Sequence, residues 1–73
     1  MTPVLELLSV VALLEDLPAL GLTRGQVGTV VEHLAPGVYE VEFIDDNGQT
    51  YALAPLRENQ LMLLRYEPEH RAA

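Results

Sequence analysis

One run of six residues constrains this chain more than any other. In Val38-Tyr39-Glu40-Val41-Glu42-Phe43 apolar and acidic side chains alternate. Such a period of two puts Tyr39, Val41 and Phe43 on one face and Glu40 and Glu42 on the other, as in an antiparallel strand with one buried and one solvated side. Turn signals close both ends: Ala35-Pro36-Gly37 precedes the run and Asp45-Asp46-Asn47-Gly48 follows it. Asn-Gly supplies the positive φ values of a tight hairpin, so the flanking segments are expected to be strands as well. Gln49 to Leu53 reads as the return strand, with Tyr51 and Leu53 on one face and Thr50 and Ala52 on the other. Upstream, Gln26 to Leu34 is Val-rich, and Gly28 interrupts its period as a bulge would. These three strands make a meander.

The rest of the chain is read around that hairpin. Val10 to Leu14 is a further apolar run, and Glu15 to Gly25 is too rich in Pro and Gly for a regular element, which makes it a long structured loop. Pro55 to Gln60 suits one helical turn, and Leu61 to Leu64 a last strand. The first eight residues are compatible with a strand extension or with a helical turn. A single domain is expected over residues 1–66, followed by a flexible tail over 67–73. Five short strands cannot bury a flat sheet in water, so the expected fold is all-β: a small barrel. At 73 residues the core is single and thin, and with one Phe, three Tyr and no Trp it must be filled by aliphatic side chains.

Composition excludes several classes of function. The absence of cysteine removes disulfides, thiolate nucleophiles and thiolate zinc sites and makes a cytoplasmic location the expectation. Met1-Thr2-Pro3 has no basic n-region, so neither export nor a membrane span is expected, no apolar run approaching the ~20 residues of a span. Eleven acidic residues face four basic ones, all Arg, for a formal charge of −7. Nucleic-acid backbones are therefore expected to be repelled.

No catalytic constellation is visible. His33 and His70 stand far apart with no partner at metal-ligand spacing, so neither a metal nor a cofactor is expected. Ser9, Thr2, Thr23, Thr29 and Thr50 lie outside any nucleophile-elbow pattern. Asp45-Asp46-Asn47-Gly48 has the composition of a hairpin tip and lacks the distal Glu of a calcium loop. Glu15-Asp16 is expected to accept backbone hydrogen bonds at the mouth of the long loop. Gly25-x-x-Gly28 has neither the Lys nor the following helix of a phosphate cradle. Tyr39 and Tyr51, on the periodic apolar faces, are expected to be buried or partly buried and not to serve as stacking platforms.

The segment Gly25-Gln26-Val27-Gly28-Thr29-Val30-Val31-Glu32 resembles the strand-opening motif of SH3-like and KOW-type barrels, in which a glycine precedes a bent, Val-rich strand. From Val10 to Leu64 the chain also resembles a family of short bacterial proteins of unassigned function. That likeness rests on Val10-Val11-Ala12-Leu13-Leu14-Glu15-Asp16-Leu17-Pro18, Gly21-Leu22, the Gly25–Glu32 segment, Tyr39-Glu40-Val41-Glu42-Phe43 and Tyr51-Ala52-Leu53. It implies an SH3-like barrel and no established activity. The expected role is a non-enzymatic protein-interaction module, possibilities beside it being an antitoxin-like or immunity-like protein with a basic partner, a KOW-like nucleic-acid binder and an accessory subunit. Candidate contacts are Leu17, Pro18, Leu20 and Leu22 of the long loop, unless those leucines fold back over the open end of the barrel, together with Glu40 and Glu42 and, in the antitoxin-like version, Glu32 and Asp45. Self-association through the apolar Leu61–Leu64 run is a further expectation, with the Val4–Leu8 segment as the competing cover.

Overall fold

The computed structural model describes residues 5–66 and residue 68. The expected tail, apart from residue 68, and the start of the first segment lie outside the described residues. Five strands, β1 (Val10–Leu13), β2 (Val27–Ala35), β3 (Val38–Ile44), β4 (Thr50–Arg57) and β5 (Leu61–Leu63), pair antiparallel in one sheet of order β4-β3-β2-β1-β5. Two short 3-10 turns accompany them, Pro18–Leu20 in the long loop and Glu58–Gln60 just before β5. The all-β architecture, the long connection after the first strand and the turn before the last are as the sequence indicates.

The alternation in β3 sets the inside of the fold. Tyr39, Val41 and Phe43 are essentially fully buried, and they share one core with Val11 and Leu13 of β1, Val30 of β2, Ala54 and Leu56 of β4, and Leu61 of β5. No second sheet or helical layer covers this face among the described residues, so the sheet curls upon itself to enclose it. The seam falls between β4 and β5, which the second 3-10 turn joins along the chain. Each of these strands has one hydrogen-bonded neighbour.

Local irregularities make the curl possible. The β2–β3 register slips between Val30 and Glu32 and again between His33 and Ala35. Bulges of this kind bend a strand and increase its twist, so β2 pairs with β1 over Val27–Thr29 and with β3 from Thr29 to Ala35. Gly28, expected at a bulge, is instead regularly paired with Val11. Its lack of a side chain serves close packing: a Cβ there would lie 2.6 Å from Val41 Cγ1, 3.0 Å from the Glu42 carbonyl oxygen and 3.0 Å from Phe43 Cδ2.

The face assignment of the return strand is corrected by the structure. Ala52, Ala54 and Leu56 turn inward, whereas Leu53 and Tyr51 stand 56% and 46% exposed. Tyr51 is the extra residue where the β3–β4 register slips, between the Phe43–Ala52 and Ile44–Thr50 pairs. Alanines suffice inside because Tyr39 and Phe43 from the neighbouring strand already fill the space. β4 also runs on through Pro55 to Arg57, where a helical turn was expected to begin. A proline is tolerated there because β4 is an edge strand.

The first segment is neither strand nor helix where it is described. Glu6 to Ser9 form a turn closed by a 3.1 Å hydrogen bond from the Ser9 N–H to the Glu6 carbonyl, with Leu8 in the left-handed region at φ 71°. Before it, Leu5 packs against the core, and its N–H donates to the Tyr39 hydroxyl at 3.1 Å.

Candidate functional site

The long loop is knitted into a small unit. Leu17 and Leu22 pair as an isolated bridge, with N–H to carbonyl distances of 2.9 and 3.1 Å in the two directions. The Arg24 N–H donates to Asp16 Oδ1 at 2.8 Å, and the Gly25 N–H donates to the Leu13 carbonyl at 2.8 Å. Glu15 Oε2 accepts from the Gln60 side-chain amide at 3.0 Å and ties the loop to the turn before β5. The expectation of backbone hydrogen bonds is met by Asp16, which accepts the Arg24 N–H, whereas Glu15 accepts from the Gln60 side chain instead.

Of the four loop residues singled out as contacts, the structure divides the set. Leu22 is 2% exposed and belongs to the core, and Leu17 is half-buried against it. They fold back over the interior, the other course open to them. Pro18 and Leu20 remain exposed at the apex, held in a 3-10 turn by hydrogen bonds from Leu20 N–H to the Leu17 carbonyl and from Gly21 N–H to the Pro18 carbonyl.

Glu40 and Glu42 lie elsewhere, half-buried on the outer face of β3. Glu40 faces Glu32 across the β2–β3 ladder and Pro55 across the β3–β4 ladder; Glu42 faces Thr29 and Leu53. Glu42 Oε2 accepts the Thr50 hydroxyl hydrogen bond at 2.6 Å. Nothing in the strand pairing brings this acidic face to the loop apex.

Apolar neighbours of these acids escaped the sequence reading. Val27, Ile44 and Leu53 are 45%, 50% and 56% exposed. Ile44 shares its face with Glu42 two positions earlier, and Val27 shares its face with Thr29 two positions later. The signal for Ile44 was present, since its even position continues the Glu40–Glu42 side of the strand. The signal for Leu53 was masked by the wrong face assigned to β4.

The remaining candidates for chemistry have structural occupations. At the β3–β4 tip, Asp45 Oδ1 accepts from the N–H groups of Asn47 and Gln49 at 2.8 and 3.0 Å, and Gly48 alone takes a positive φ, 77°. This is a plain hairpin tip, as its composition indicates. His33, exposed near the end of β2, stacks on Tyr39 with ring centroids 4.8 Å apart. Tyr39 is buried as expected, but the half-exposed Tyr51 is not in the core; its ring lies tilted at 6.1 Å from Phe43. His70 is outside the described residues. Among the described residues no three His, Asp or Glu side chains gather in a metal-binding group, and no helix is long and apolar enough to cross a membrane. An open cleft of about 910 Å³ lies between the Glu6–Ser9 turn and the chain leaving β5, lined in part by Leu7, Leu8, Leu63, Arg65 and Tyr66.

A small all-β domain of five antiparallel strands, with apolar and acidic side chains displayed together on its outer face, is the class that fold and surface define. The chain belongs to the family described as a domain of unknown function, DUF4926, whose model matches residues 7–63. No curated protein and no solved structure matches it.

Proposed function

We propose that this domain is a non-enzymatic protein-interaction module acting in the cytoplasm. The observation that carries the reading is the outward display of Val27, Ile44 and Leu53, each about half exposed on neighbouring strands. Single exposed apolar residues are ordinary, but a group of large ones on one sheet face marks a surface that gains by being covered. The lack of cysteine favours a reducing compartment, and the strand order with its turn before the last strand fits the SH3-like resemblance carried by Gly25 to Glu32.

Photocrosslinking in cells tests the proposal. A benzophenone side chain placed at Ile44 or Leu53 is expected to yield the same adduct with one identified protein, which then copurifies with the unmodified domain. The exposed Asn59, outside the patch, serves as control. Adducts no more abundant than that control at both positions would overturn the reading.

A further inference from the structure

We propose that the outer face of β2, β3 and β4 receives a basic amphipathic helix of a partner protein; this rests on the interaction-module reading and names the chemistry of the partner. Thr29, Glu42 and Leu53 stand in line across the three strands. With strands about 4.8 Å apart, that line spans about 10 Å, the width of one helix. Ile44 and Val27 continue the same face, two positions from Glu42 and Thr29 along their strands, so Glu42 has Leu53 opposite it and Ile44 next to it on its own side of β3. Its carboxylate is held by the Thr50 hydroxyl.

The form of the occupant follows from where each element can dock. Extended segments add to sheet edges, where backbone groups are free, whereas sheet faces are covered by helices or by other sheets. The edge nearest the patch is β4, and Pro55 there has no N–H to offer an incoming strand. The face, with its exposed Leu53 and Ile44, is the side left to dock on.

Charge selects the partner. Glu32 and Glu40 are directly opposed, and Glu42 lies two residues beyond Glu40 on the same face. Like charges across a ladder repel, and a cation laid over them relieves that repulsion. Arg57, opposite Val38, is the cation on the far end of this face. A second copy would carry the same net charge of −7 and present the same acidic face, and a nucleic acid would bring its phosphates. A helix with a Leu-type stripe flanked by Lys or Arg answers both the apolar and the acidic parts of the surface.

The test uses the full chain, isotopically labelled, titrated in NMR with three synthetic peptides: an amphipathic Leu/Lys helix, the same pattern with Glu for Lys, and a scrambled Leu/Lys sequence. The Leu/Lys helix is expected to shift the amides of Val27, Glu42, Ile44 and Leu53, while the Leu/Glu peptide leaves them in place. Scrambling is expected to weaken binding about tenfold. A Glu40→Gln, Glu42→Gln double variant is expected to weaken it about fivefold, an effect that shrinks as salt is added. Leu53→Asp is expected to abolish it, and because Leu53 is exposed this variant should keep the native dispersion of its spectrum. The inference is overturned by no shift up to about 1 mM peptide, by equal binding of the Leu/Glu peptide, by shifts confined to the Pro18–Leu20 apex or the cleft, or by self-association through this face. A crosslinked partner whose contacting segment is acidic or non-helical would overturn it while leaving the interaction-module reading intact.

Discussion

Gly28 and Leu8 place opposite demands on the backbone. Gly28 has ordinary dihedrals but no room for a Cβ, since two of its three closest neighbours are core side chains and the third is a carbonyl oxygen. Gly28→Ala should therefore destabilise the domain by about 1–3 kcal/mol, as overpacking does, measurable by urea unfolding. Trimming Val41 to Ala in the same chain removes the 2.6 Å contact but leaves those at 3.0 Å to the Glu42 carbonyl and Phe43 and empties buried volume of its own, so it should not restore the lost stability. Leu8 has room but an uncomfortable φ of 71°, where a side chain costs roughly 1–2 kcal/mol. Leu8→Gly should leave the melting temperature unchanged or raise it, the relieved strain offsetting glycine's greater freedom when unfolded. Leu7→Gly, one position earlier, should lower it. A glycine in a strand pattern was legible as unusual in the sequence, but its cause was not, because the atoms that crowd it come from β3.

At the scale of elements, the long loop separates packing from display. Leu22→Ala should cost about 2–4 kcal/mol, as for a buried leucine, and Leu20→Ala less than about 0.5 kcal/mol; equal losses in chemical unfolding would contradict the division seen here. The β2–β3 hairpin carries its own tension. Removing one charge of the Glu32–Glu40 pair with Glu32→Gln should raise stability by about 0.3 kcal/mol at low salt, and the gain should fade near 0.5 M salt. The strands of the central hairpin were legible because alternation and turn chemistry agreed there. The facing of β4 was not, for two reasons: Tyr51 occupies a bulge that only pairing reveals, and two of the three inward residues, Ala52 and Ala54, are alanines, whose small size hides the period. The loop leucines show the same limit, since the apolar character of Leu17 and Leu22 does not tell whether they close the core or await a partner.

Across the whole molecule, one thin core must hold together a chain with a formal charge of −7. Self-repulsion works against the folded state, so raising salt from about 10 mM to about 0.3 M should raise the melting temperature by a few degrees; a flat or falling curve would show that the charges are better balanced than their count implies. The patch of Glu32, Glu40 and Glu42 was partly visible in the sequence as an acidic strand face, whereas its apolar border required the sheet to be assembled.

The Leu64 N–H donates to the Val10 carbonyl at 3.0 Å, so the chain enters its first strand and leaves its last at the same spot. A short peptide joining those points in place of the segment before Val10, with the backbone opened between Asp46 and Asn47 at the hairpin tip, should give a permuted protein that keeps the pairings of β1 to β5 but is less stable for want of the Leu5 packing and its hydrogen bond to Tyr39. By the same geometry the unit can be set into a surface loop of another protein without prying that loop apart, since entrance and exit stand side by side.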